Sequence, residues 1–451
     1  MRVVRIERVR YDPQSVHDSW LGPVSRPSGS TAGRRPVRPP RVCLRQGVPV
    51  SNNPPVTTTR SYPFHAPDRL ELDPLYARLR HEQPVTRVRL PYGEPAWLVT
   101  RYADVRTVLG DPRFSRAAAL GRDEPRITPR QIDAGILALD PPEHTRLRRL
   151  AAKAFTARRV EQLRPRTTGI TEELLDAMLA AGSPADFVEY VATPLPIRVI
   201  CALLGVPVAD QDRFHTWSEA IVSTTSLSPE RIDEYLDNLY AYMGELIAQR
   251  RREPTDDLLS AMVRARDENA DRLTELEVVQ LAAGLLAAGH ETTVTQLPNF
   301  VYVLLTTPGA WERLRADPGS VPSAVEELMR YVPLGVASAF ARYATEDVEL
   351  GGVLIRAGEP VIGSISSANR DESVFTDPDR LDLDRSVNPH LGFGHGVHHC
   401  IGAQLARMEL QVALRALLQR TPELRIAVPE AELTWKSGLI VRGLTGLPVA
   451  W

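Results

Sequence analysis

The 451-residue chain reads as a mainly α protein with small β-sheets. Three patterns predict that class. Apolar residues recur every three to four positions through most of the chain beyond residue 62, the spacing of helices that bury one face. Two short stretches alternate apolar and polar residues between turn formers, as half-buried strands do. One run, residues 274–306, is apolar on nearly every side and so belongs at the centre of the globule.

In chain order, residues 1–61 stand apart. The first 60 hold eleven Arg and nine Pro against three acidic residues, with no helical or strand period. Such a stretch buries too little apolar surface to offset its ordering entropy. It is expected to be a disordered basic extension, or a stretch upstream of a true start near Val48 or Val50. Residues 62–451 are expected to form one globular domain. Residues 85–90 alternate as a strand, Tyr92-Gly93 between Pro91 and Pro95 turns, and Trp97-Leu98-Val99 returns as the hairpin partner. A second small sheet is expected in 345–365, around Val348, Leu350, Val353 and Ile355. Helical periodicity marks 144–160, 169–181, 195–205, 229–252, 274–306, 322–331 and 402–420. The 274–306 helix opens on a capping box, Thr274 with Glu277, and stops before Pro308-Gly309. At ~1.5 Å per residue it spans roughly 50 Å. Pro298 falls inside it and predicts a kink.

Composition excludes several classes. A formal charge of −2 with interspersed signs gives no footprint for nucleic acid or an anionic membrane. No run approaches the ~20 apolar residues of a membrane span, and no apolar signal segment opens the chain, so a cytoplasmic protein is expected. Three cysteines, Cys43, Cys201 and Cys400, make no disulfide framework. Cys201 sits in an apolar run and reads as core.

Cys400 has different neighbours, Phe393-Gly394-His395-Gly396-Val397-His398-His399-Cys400-Ile401-Gly402. The glycines let the backbone approach something flat, and a helix starting after the cysteine points free N–H groups at the sulfur. That pattern favours a thiolate ligand for haem. Zinc held by His395, His398, His399 and Cys400 is the competing metal reading, but zinc ligands usually come as two separated pairs. A buried cysteine in a glycine loop is the plain structural alternative. In the long helix, Ala288 and Thr292 share a face at i and i+4. Ala288 and Gly289 leave space for a diatomic molecule, while Glu291 and Thr292 offer an acid and a hydroxyl. A back-bonded threonine and a surface glutamate is the other reading. Glu327 and Arg330 are spaced to pair across one turn, and Arg380 is placed to join them. His144 and Arg148, four apart, form a cationic face that Arg342 and His398 can extend; two carboxylate groups of a ligand would suit it.

Together these segments resemble the cytochrome P-450 superfamily, specifically its soluble bacterial members. The pattern F-G-x-G-x-H-x-C-x-G is matched from Phe393 to Gly402, A-G-x-E-T-T from Ala288 to Thr293, and E-x-x-R by Glu327 and Arg330, with Arg380 as the later arginine. The resemblance implies one mainly helical, triangular prism around a buried haem b. It implies Cys400 as axial ligand, Thr292 and Glu291 managing protons, and His144, Arg148, Arg342 and His398 holding the propionates. Glu327, Arg330 and Arg380 would form a structural network. It further implies a monomer that takes electrons from a ferredoxin and an NAD(P)H-dependent reductase, docked on Arg149, Lys153 and Arg407. The activity implied is insertion of one oxygen atom into a small, largely apolar molecule, by hydroxylation or epoxidation, in secondary metabolism or xenobiotic oxidation. The alternative is a haem-thiolate binder, sensor or isomerase, which would not need Glu291 and Thr292. The pocket is expected between 112–137, 206–228, Leu285, Ala288 and 334–340.

Overall fold

A computed structural model describes residues 59–64, 69–131, 134–268, 273–337 and 340–451. The expected extension therefore lies, up to residue 58, outside the described residues, as does Ala339 of the expected pocket wall. Arg60–Ser61 forms a strand, β1, paired in parallel with β2 (Val85–Arg89), so the folded unit begins before residue 62.

The hairpin read from the sequence is present. β2 pairs antiparallel with β3 (Ala96–Val99), Val85 opposite Val99. Further strands are β4 (Phe114–Ser115), β5 (Ala185–Asp186), β6 (Arg342–Ala344), β7 (Val348–Leu350), β8 (Val353–Ile355) and β9 (Pro360–Gly363). Two last strands, β10 (Arg425–Ile426) and β11 (Pro448–Ala450), join β5 in a three-stranded sheet. The large sheet runs β1-β2-β3-β9-β6-β4, and β7 and β8 form the expected separate hairpin. One register matters for function: Ser115 of β4 faces Tyr343 of β6. Continuing it sets Arg116 opposite Arg342, two like charges side by side.

Helices make up the rest. The central helix, Glu275–Thr306, carries the predicted capping box: Thr274 Oγ1 accepts from Glu277 N at 3.2 Å, and Glu277 Oε2 accepts from Thr274 N at 2.7 Å. It continues unbroken through Pro298 as a single helix. Buried Asn299 next to that proline donates to the Arg442 carbonyl (2.9 Å), tying the helix to the C-terminal loop. The expected helix 144–160 is two helices, Glu143–Ala152 and Ala157–Ala181. Thr156 breaks the run because its side chain caps the second helix, accepting from Arg159 N. Helices Leu75–Glu82, Tyr102–Gly110, Gln211–Val222 and Leu258–Glu268 were not marked by periodicity. A large apolar core joins the central helix to Pro194–Leu204, Pro229–Arg252 and Ala403–Arg420. Cys201 is fully buried there, its thiol pushed up to about 12 by burial, as a core residue should be.

Candidate active site

The central helix is buried on almost all sides between Leu281 and Leu304, but its burial lapses in one stripe: Gly284 and Ala288 are exposed and Thr292 partly so. These are i, i+4 and i+8, one face. A small-residue face left open in the middle of a globule is a wall of a cavity. Thr292 Oγ1 donates to the Ala288 carbonyl at 2.8 Å, so the back-bonded geometry is present on the same open face. Gly289 does not leave space for a small molecule: a Cβ there would stand 2.9 Å from Ile200 Cδ1 of the neighbouring helix. Its missing side chain is filled by Ile200, so Gly289 is a helix-packing residue. Leu285 is likewise buried.

Glu291, expected beside Thr292, faces the other way. It is buried and accepts a hydrogen bond from Ser218 Oγ at 2.6 Å, with His290 Nδ1 at 3.3 Å. Burial alone would raise its carboxyl; His290, Ser218 and the charge of Lys436 outweigh that and hold it down to about 2. Successive residues on a helix point ~100° apart, which separates Glu291 from the open face.

Cys400 lies in a loop held by two glycines in left-handed conformation, Gly394 and Gly396 (φ +72° and +73°). A Cβ on Gly396 would lie 2.5 Å from the Leu109 carbonyl, so only glycine fits that crossing. The Cys400 amide donates to the Phe393 carbonyl at 2.8 Å, and Arg148 donates to the His399 carbonyl. Gly402 caps the helix Ala403–Arg420. The thiol is nonetheless held above its ordinary range: burial outweighs the Gly402 amide, Arg148 and Arg407. The helix start expected to make a thiolate does not do so alone. A coordinated cation would supply the missing charge.

The cationic cluster forms. Buried His144 stacks obliquely on His398, ring centroids 4.3 Å apart. Burial, together with His144, Arg342 and Arg116, pushes the His398 ring down to about 3, and neither of its buried nitrogens has a partner. Burial and Arg116 push Arg342 down to about 10. The near acids are Glu124, 3.7 Å from Arg116, and Asp140, whose oxygens are taken by Ser115 and by the amides of Arg116 and Ala117. Unpaired buried polar atoms and mutually repelling cations call for an anion. A group with two carboxylates and a metal that takes a thiolate meets both demands, so these residues fit haem. Arg116 was missed in the sequence; only the β4–β6 register reveals it. Arg148 bonds the cysteine loop and is a clamp on it.

The Glu327 network is fully built. Glu327 Oε1 and Oε2 accept from Arg330 at 2.7 and 2.8 Å, from the Asp382 amide at 2.9 Å, from Arg385 Nε at 3.0 Å and from Asn388 at 3.1 Å. Arg380 does not join by its side chain, which is two-thirds exposed and lies 3.5 Å from Asp382; only its carbonyl accepts from Arg330. Arg385 takes the expected place because its side chain turns inward while that of Arg380 turns to water. Asn369, whose carbonyl also accepts from Arg330, receives the Leu391 amide at 2.7 Å, so the network anchors the start of the cysteine loop. Arg407 is bound to Glu326 (2.7 and 2.8 Å) and lies over Phe393, 4.4 Å from the ring centroid. It is not free for docking; Arg149 and Lys153 are exposed. Zinc in the cysteine loop is not supported: among the described residues, only His215, His290 and Glu291 bring three ligand atoms together.

Comparison with known proteins gives the family and the fold. The chain belongs to the cytochrome P450 family, whose family model matches residues 227–422. Mycinamicin IV hydroxylase/epoxidase of Micromonospora griseorubida is 58% identical over 392 residues, covering 87% of this chain and 98% of that protein. Nocardicin C N-oxygenase of Nocardia uniformis subsp. tsuyamanensis is 57% identical over 397 residues, covering 88% and 99%. Among solved structures, HinD with NMFT and NO superposes with TM-score 0.85 at 53% identity, covering 87% of this chain and all of that one. The fold is the P450 fold, and the chain is a haem-thiolate monooxygenase. No helix among the described residues is long and apolar enough to cross a membrane.

Proposed function

We propose that residues 59–451 form a complete haem domain that oxygenates a bulky natural product at a cavity walled by the Gly284–Ala288–Thr292 face. The observation that carries this reading is Cys400 in its glycine loop, two residues from His398, whose buried ring nitrogens have no partner, together with the buried guanidinium of Arg342. Bound haem supplies dioxygen binding and activation at its iron. Cys400 would give the haem iron its thiolate, and His144, His398 and Arg342 would hold the propionates, with Arg116 beside Arg342 adding positive charge. Thr292 presents its hydroxyl on the cavity face and orients the proton donor. Glu291 holds the proton-handling carboxylate in reserve behind the helix; delivery requires it to leave Ser218 and swing toward Thr292. Ala288 keeps the wall low enough for a small molecule.

Relatives named as a mycinamicin IV hydroxylase/epoxidase and a nocardicin C N-oxygenase support a secondary metabolite as substrate. The exposed cations Arg149 and Lys153 support electron delivery by separate carriers, a ferredoxin and its NAD(P)H-dependent reductase, to a monomeric, cytoplasmic enzyme. The decisive experiment titrates the purified holoprotein with a secondary-metabolite library that includes mycinamicin IV and nocardicin C and reads the haem spectrum, then assays turnover with ferredoxin, reductase and NAD(P)H. A ligand that displaces the haem-bound water and is converted to a product heavier by one oxygen is expected. Ligands that bind but are never oxygenated would favour the binder or isomerase instead.

A further inference from the structure

Behind the central helix lies a second constellation that oxygen chemistry does not account for. His215 and Ser218, at i and i+3 on the helix Gln211–Val222, meet His290 and Glu291 of the central helix. One ligand atom from each of His215, His290 and Glu291 lies within 4.8 Å of the other two. We propose that these three residues form a binding site for a divalent transition-metal ion of the zinc type, and that its occupation withdraws Glu291 from proton handling. The second half rests on the role given to Glu291 above; the first stands without it.

The donor set is two imidazoles and a carboxylate, a set used for zinc with one position left open. Tetrahedral zinc with bonds of ~2.0–2.1 Å places its ligand atoms roughly 3.3 Å apart. His290 Nδ1 and Glu291 Oε1 are already 3.3 Å apart. The His215 and His290 rings meet edge to face with centroids 5.3 Å apart, so closure needs only a small rotation of His215, which is exposed. Ser218 Oγ, 2.6 Å from Glu291 and 3.2 Å from His290 Nδ1, stands where a fourth ligand or a bridging water would be oriented. The three ligand residues sit on two packed helices, Gln211–Val222 and Glu275–Thr306, which favours a defined geometry over that of a loop site.

Two further features point to a ligand. His290 is 1% exposed, yet its Nε2 has no hydrogen-bond partner, so this buried ring at the site is left incompletely satisfied by the protein. Lys436 is the one cation facing the carboxylate from the C-terminal loop, but its ammonium bonds the Thr295 hydroxyl at 3.1 Å, leaving the carboxylate to Ser218 and His290. Glu219 also acts on Lys436 and offsets its repulsion of a metal ion. Entry is from solvent at His215. Once both imidazoles and Glu291 share an ion, the carboxylate can neither turn nor accept a proton.

The experiment uses the full-length holoenzyme and zinc chloride. Calorimetry is expected to give one tight zinc per chain, and zinc-edge X-ray absorption two imidazoles and one carboxylate. His215→Ala, a surface change that spares the core, is expected to weaken that binding by at least about tenfold. In turnover, zinc is expected to lower product formed per reducing equivalent in the wild type, and to have no such effect in His215→Ala relative to that variant's own zinc-free rate. No tight binding in the wild type, or equal binding in His215→Ala, overturns the site. Zinc bound there with unchanged coupling overturns the regulatory half alone. Glu291→Gln that stays fully coupled without zinc would instead overturn the role of Glu291 in turnover and leave the metal site standing.

Discussion

Cys400 shows how little a single residue type says without its surroundings. Its thiol is held up by burial, and the amide and arginines around it do not compensate. Replacing it by alanine is expected to abolish the thiolate-type spectrum of the reduced carbon monoxide complex; survival of that spectrum would mean another ligand. Thr292→Ala is expected to uncouple, lowering product per NAD(P)H consumed while oxygen uptake continues, as measured by an oxygen electrode beside product analysis. Glu291 has a pH signature. Its carboxyl is lowered to about 2 from an ordinary 4.5, so the fold favours the ionised form. That contribution is complete above pH 4.5 and disappears as pH falls through 2. It amounts to at most about 3 kcal/mol. The stability gap between wild type and Glu291→Gln should therefore narrow between pH 4.5 and 2 in urea titrations at fixed salt. A gap independent of pH would mean the carboxylate is not ionised in the native state.

Elements were legible to unequal degrees. The central helix was readable from end to end because its cap, its apolar run and its stop are all local signals. Its neighbour Gln211–Val222 was not, because it carries polar residues such as His215, Ser218 and Glu219 whose partners lie on other elements. The small size of Gly289 reads in the sequence as space for a diatomic molecule, and the facing Ile200 reassigns it. Gly289→Val is thus expected to cost about 1–3 kcal/mol through overpacking, against a helix propensity that slightly favours valine over glycine. Ile200→Ala in the same chain should recover much of that loss in a double-mutant cycle of denaturation midpoints; independent effects would refute the contact.

For the whole molecule, the Glu327 network joins the helix Val321–Tyr331 to the segment that leads into the cysteine loop. Breaking it leaves a buried charge. Arg385→Ala is expected to destabilise by about 3–5 kcal/mol and to reduce haem retention, while Arg380→Ala stays within about 0.5 kcal/mol. Thermal melts and haem content together check this; the reverse order would restore Arg380 to the network. Docking belongs to this scale too. Lys153→Glu is expected to slow ferredoxin-supported turnover more at low salt than at high, since a surface charge steers association.

Residue chemistry carried by short spacing was decided by the sequence alone. The glycine loop around Cys400, the pair Glu327–Arg330, the capping box and the Ala288–Thr292 face need only neighbours within a turn or two, and local backbone geometry dictates where those side chains point. Tertiary structure alone decided everything that depends on a partner far along the chain. It chose Arg385 over Arg380, set Arg116 beside Arg342 across two strands, turned Glu291 toward Ser218 and Lys436, and brought His215 to His290. The reason is physical. Buried charge is costly without a partner, and partners 70 to 140 residues away in sequence are supplied only when the helices and sheets pack.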